Sequence, residues 1–154
     1  MFHRFAYEAE HYPELSRLPL HVRMKLDLTG LRISLDDWLA FSIEERTALC
    51  HLPIEAADES SAFIAYVDFL SRKYRSKPAT VIEAADPSLW KKTAIPEPVA
   101  QKAARNPQPL TPAEWNRWPE HQRYALYKTA ISRSQPEAFD KLLNEFRGFV
   151  QDRR

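Results

Sequence analysis

The chain carries the same message twice. Displaced by 77 positions, its residues fall on one another without a gap: Leu18-Pro19 on Ile95-Pro96, Val22 on Val99, Lys25 on Lys102, Trp38 on Trp115, Phe41 on Trp118, Arg46 on Arg123, and Ala48-Leu49 on Ala125-Leu126. A pattern that recurs in order and spacing asks for the same local structure in both places. At 154 residues the chain is long enough to bury a sizeable core. The expectation is an all-α fold, a tandem duplication of a three-helix unit with a repeat of about 77 residues, its halves related by an approximate two-fold and packed into one helical domain over 1–154. The first repeat is placed at about 11–75, a linker at about 76–86 and the second repeat at about 87–151.

The choice of helices rests on what is scarce. Only two glycines are present, against twelve prolines. Tight hairpins and phosphate-cradling loops draw on glycine for backbone that other residues avoid, so prolines here read as punctuation between helices. Leu18, Val22 and Leu26 stand four apart, as do Ile95, Val99 and Ala103, which lines one helix face with apolar groups. Pro19 and Pro96 suit a first helical turn, where no N–H is needed. Gly30 closes the first of these helices in a left-handed cap, and Pro107 stops the second.

The middle of each half is marked by helix starts. Ser34-Leu35-Asp36-Asp37-Trp38 and Thr111-Pro112-Ala113-Glu114-Trp115 each place a hydroxyl three residues ahead of a carboxylate, with Glu114 better placed than the shorter Asp37 to return the bond. Ser42-Ile43-Glu44-Glu45 repeats the device, with Pro119-Glu120-His121-Gln122 at the matching place. At an offset of 76, Phe63, Tyr66, Val67, Leu70 and Tyr74 fall on Phe139, Leu142, Leu143, Phe146 and Val150, an apolar stripe at steps of three and four. Asp58 or Glu59 opens the first of these helices, and Ser134 with Pro136 the second. Residues 76–93 read as mostly irregular, anchored by Trp90, with a short strand at Thr80-Val81-Ile82 as an option.

Known chemistry leaves no signature. No G-x-G-x-x-G, P-loop or G-x-S-x-G motif occurs. The five histidines (His3, His11, His21, His51 and His121) lack metal-ligand spacing. Cys50 and His51 are neighbours on a helix and so point apart; a buried thiol is the reading for Cys50. One cysteine excludes an internal disulfide and fits a reducing compartment. Net charge is +1, too mild for a nucleic-acid face, and no apolar run reaches a membrane span. The expected location is cytoplasmic, with no cofactor and no metal. Trp38, Phe41, Trp115 and Trp118 read as core. The recurring cations Lys25 and Lys102, Arg46 and Arg123 read first as structural ties to helix ends and second as a cationic cleft. Arg23, Lys25 and Arg32 are the candidates for binding a partner or an anion. Arg23 falls on Ala100, and a charge kept once is less of a scaffold requirement.

The run Leu18-Pro19-Leu20-His21-Val22-Arg23-Met24-Lys25-Leu26-Asp27, then Gly30-Leu31-Arg32-Ile33-Ser34-Leu35 with Trp38, then Glu45-Arg46 and Leu49, resembles the nitrate reductase-associated protein family. These are small bacterial proteins of about this length, named for gene association with nitrate assimilation and without an established reaction. The resemblance implies a process and a protein partner, nitrate reductase or an assembly factor, and lends no catalytic residue. The function expected is therefore that of a non-enzymatic accessory protein. The alternative is a small-molecule or anion-binding sensor, or a weakly marked enzyme, using a cleft between the repeats.

Overall fold

The structure, a computed structural model, describes residues 2–148; Val150, the end of the expected second repeat and Arg153-Arg154 lie outside the described residues. Within them the regular structure is ten helices and one two-stranded sheet. The chain divides into two compact units. One holds Met1–Arg4 and Glu8–Asp86, the other Phe5–Tyr7 and Pro87–Arg154. A short 3-10 helix, Ala6–His11, opens the order.

The first unit is built from α1 (Leu20–Thr29), β1 (Leu31–Arg32), α2 (Leu35–Ala40), α3 (Ile43–His51), α4 (Ala57–Arg75) and β2 (Thr80–Val81). Pro19, at the N-cap of α1, has no side chain to offer. The carboxylate of Glu8 takes the place, accepting from the Leu20 N–H at 3.0 and 3.2 Å and from the Tyr12 hydroxyl at 2.9 Å; a negative group there also meets the positive end of the helix. Gly30 ends α1 at φ 73, ψ 36, the left-handed cap that glycine adopts without strain. A Cβ at Gly30 would sit 2.9 Å from the Ile82 carbonyl oxygen, so the position needs glycine for space as well as for φ. That close approach comes from the residue after β2, a strand that pairs antiparallel with β1, Leu31 opposite Val81 and Arg32 opposite Thr80. Residues 76–86 are thereby stitched to the first unit, with Ile82 N–H donating to Gly30 and Ala85 N–H to Asp27.

Both serine caps form. Ser34 Oγ accepts from Asp37 N–H at 3.1 Å and Ser42 Oγ from Glu45 N–H at 3.1 Å, and each carboxylate returns a bond to the cap N–H, at 3.4 Å for Asp37 and 2.8 Å for Glu45. Helix α4 presents Phe63, Val67 and Leu70 to a core with Leu15, Leu18, Val22, Leu26, Trp38, Phe41 and Leu49. Its Lys73 and Tyr74 reach back to Glu45, the ammonium at 2.7 Å.

The second unit holds α5 (Ser88–Lys91), α6 (Glu97–Ala103), α7 (Pro112–Arg117), α8 (Glu120–Ile131) and α9 (Ala138–Phe146). Trp90, Val99, Trp115, Tyr124, Leu126, Phe139, Leu142 and Leu143 are buried in it. Thr111 caps α7 by accepting from Glu114 N–H at 3.2 Å. The Glu114 carboxylate does not close a box, contrary to the reach argument. It forms a two-point pair with Arg147 at 2.8 and 2.9 Å, so a stronger charged partner outcompetes one backbone N–H. Helix α9 starts at Ala138 with Glu137 at its N-cap and no side-chain cap, later than Ser134 and Pro136 suggested. The unit also takes in the chain's start: Ala6 and Tyr7 N–H groups both donate to the Glu145 carboxylate at 3.0 Å.

Trp38 and Trp115 are each 0% exposed. Replacing either by alanine is expected to cost about 3–5 kcal/mol, read from urea midpoints; a loss under about 1 kcal/mol in either would show a ring that contributes little to the core. Glu45 supplies a pH signature. Burial works to raise its pKa, but the bonds from Lys73, Tyr74 and Ser42 prevail and bring it to about 2 from 4.5. The folded value lies below the unfolded one, so this stabilisation is full above pH 4.5 and is lost as pH falls through about 2. The stability gap between wild type and Glu45→Gln should therefore shrink over that window in denaturant melts; a gap constant with pH would show that the carboxylate charge is not what Lys73 and Tyr74 hold.

Candidate functional site

Short helices expose carbonyls that nothing in the helix satisfies, and the recurring cations and indoles meet them. Arg46, on α3, donates to three carbonyls: Nε to Trp38 at 2.9 Å, one terminal nitrogen to Leu39 at 2.7 Å and the other to Glu14 at 3.0 Å. Two of these are at the end of six-residue α2. The Trp38 indole donates to Leu15 at 2.6 Å. Seventy-seven residues on, Trp115 donates to Lys92 at 3.1 Å and Arg123 to Lys91 at 3.3 Å, each acceptor displaced by the same interval as its donor. At Arg123 the buried Nε has no hydrogen-bond partner, where Arg46 Nε has Trp38. Trp118 is buried beside Phe146, with ring centroids 5.8 Å apart.

Lys25 corrects an expectation. It was a candidate for surface binding, yet it is 2% exposed. Its ammonium donates to the carbonyls of Leu49 at 3.1 Å, Cys50 at 2.7 Å and Leu52 at 2.6 Å, closing the C-terminal end of α3. Burial lowers its pKa to about 8, which still leaves it charged at neutral pH, as three carbonyl acceptors require. Arg23 and Arg32 are exposed, on α1 and β1, with Arg23 Nε donating to Leu18 at 3.3 Å. Arg23, Lys25 and Arg32 thus do not make one cationic surface, because the middle charge lies inside.

Cys50 is buried and burial pushes its thiol up to about 12, with Lys25 opposing; His51 beside it is exposed. Among the described residues no three His, Cys, Asp or Glu side chains converge as metal ligands, and no helix is long and apolar enough to cross a membrane.

What sequence reading missed is an apolar face. Leu35 and Leu39 share one side of α2, and Ile43 begins α3 after the bend at Phe41. They are 48%, 44% and 49% exposed, and the exposed acids Asp36 and Glu44 follow Leu35 and Ile43 in the chain. The corresponding positions 77 residues later are Pro112, Asn116 and Glu120. That contrast is the signal that finds them: the helices recur, but the outward apolar row does not.

The chain belongs to a family described as conserved nitrate reductase-associated protein, whose profile matches residues 4–146. No curated protein and no solved structure matches it.

A Lys25→Met variant keeps the stem and deletes the donor, leaving three buried or half-buried carbonyls unpaired. It is expected to lose about 2–4 kcal/mol in urea unfolding. An unchanged midpoint would mean that water satisfies the end of α3 equally well.

Proposed function

We propose that this is a non-enzymatic accessory protein that docks onto another protein of nitrate assimilation, with nitrate reductase or one of its assembly factors as partner. The observation that carries the reading is the exposure of Leu35, Leu39 and Ile43, large side chains left about half in water on two consecutive capped helices. Exposed apolar groups gathered in one place cost solubility and mark contact surfaces. Arg23 and Arg32, exposed on the same unit, are proposed as flanking partner contacts; their counterparts 77 residues later are Ala100 and Pro109, neither of them charged. The family's description, with its association to nitrate reductase, supports the choice of partner.

We further propose that the two units descend from one duplicated three-helix element, over about 11–75 and 87–151 with a connection at about 76–86. Paired hydrogen bonds from Trp38 and Trp115, and from Arg46 and Arg123, support this. On this reading the positions that agree hold the scaffold, and those that differ are where the first unit acquired its docking face.

The experiment is a binding titration of purified nitrate reductase from the same cell with wild type and with Leu39→Glu/Ile43→Glu. Both substituted side chains are half exposed, so helix content by circular dichroism should hold. Affinity should fall by at least about tenfold, since hot-spot truncations cost about 2 kcal/mol or more. Equal affinity in the two proteins would remove the face from the reading, and no binding by wild type would remove the partner.

A further inference from the structure

We infer that a depression in the second unit, beside Lys102 and Arg105, binds a small, singly charged, planar oxyanion of the nitrate or carboxylate class. The inference is independent of the docking face. It starts from what became of a buried lysine's partners. Lys25 sits among three carbonyls at the end of α3, which stops at His51. Lys102 stands 77 residues later, but α8 runs on to Ile131, past Lys128, the counterpart of His51. The carbonyls that would match those of Leu49 and Leu52 are engaged there: Leu126 accepts from the Thr129 hydroxyl at 3.3 Å, and Thr129 accepts from the Ser132 N–H at 3.3 Å. Lys102 is half-buried and its ammonium has neither a hydrogen-bond acceptor nor an ion pair among the described residues. Lys102 and Arg105 thus bring two cations without partners among the described residues to one depression, an arrangement that favours an anion there.

The surroundings set the ligand's chemistry. The depression has a volume of about 160 Å³ and is lined by Pro98, Gln101, Lys102, Arg105, Ala130 and Ile131. That is too small for a nucleotide or a drug-sized molecule and suits a few heavy atoms. Gln101 and Arg105 are four apart along the chain and bracket Lys102 from the end of α6. Arg105, exposed and unpaired, offers a planar fork matched to two oxygens, and Lys102 a point charge. Gln101 gives one amide hydrogen to Glu97 at 3.3 Å and keeps another. Pro98, Ala130 and Ile131 make an apolar wall, against which a flat monovalent anion sheds water more cheaply than phosphate or sulfate. The matching positions of the first unit, Met24 and Leu28, are apolar, so the scaffold itself does not call for Gln101 and Arg105.

The test titrates sodium nitrate, and separately sodium formate, into the full-length 15N-labelled protein at constant ionic strength, with chloride and phosphate as comparators. Saturable shifts confined to residues 98–105 and 130–131 are expected for nitrate and formate. Arg105→Gln, on an exposed side chain, and Lys102→Met should each weaken binding by about tenfold, while Lys102→Arg retains it and Leu39→Glu/Ile43→Glu leaves it unchanged. Shifts of equal size with chloride or phosphate, no saturation, or binding that survives Arg105→Gln with Lys102→Met would overturn the inference.

Discussion

The fold depends on how its short helices dispose of their last carbonyls. A helix leaves up to four C=O groups without an internal partner, and in a six-residue element such as α2 or α7 that is most of the helix. Propensity cannot hold such pieces in place; tertiary contacts must. Here the contacts are long side chains thrown across from neighbouring helices. Arg46 closes α2 from α3 and Lys25 closes α3 from α1. Each cation therefore ties one helix to the end of another, in sites that also favour positive charge. The apolar core supplies the driving force, and these ties fix which helix end lies against which stem.

Much of this could be read in the sequence because it is local. A serine three residues before an acid, a glycine after the last apolar position and an apolar stripe on α4 all specify structure within a turn or two, and Ser34, Ser42, Gly30 and Phe63–Leu70 behave accordingly. What was illegible depends on partners distant in the chain. Glu114 has the longer side chain for a capping box, but Arg147 lies in reach and takes it. The recurrence of Lys25 suggests a tie to a helix end, but which end it meets, that of α3, shows only in the fold. The apolar face was invisible for another reason: Leu35, Leu39 and Ile43 have the residue types of a core, and only burial tells which apolar side chains a short helix turns outward.

The two units divide the work of the sequence. Trp38 and Trp115, and Arg46 and Arg123, coincide at the 77-residue offset and make matching internal bonds: indole to carbonyl and guanidinium to carbonyl. Residues that differ include Leu39 and Asn116, both exposed, and Met24 and Gln101, the first buried and the second exposed. On the proposed duplication, the exposed apolar side chains of the first unit and the cationic depression of the second lie apart from the helix-end ties.

The assignment of Phe5–Tyr7 to the second unit has a consequence for synthesis. Those residues leave the ribosome early, but the carboxylate that receives their two N–H groups is on Glu145, about 140 residues later. The first unit has its full complement of helices once Asp86 has emerged, and it can condense while translation continues. The second cannot be finished in that order, because Phe5–Tyr7 precede the first unit in the chain while their acceptor on Glu145 follows it. Vectorial production thus gives the units unequal histories: one can close as it is made, and the other needs both Phe5–Tyr7 and Glu145.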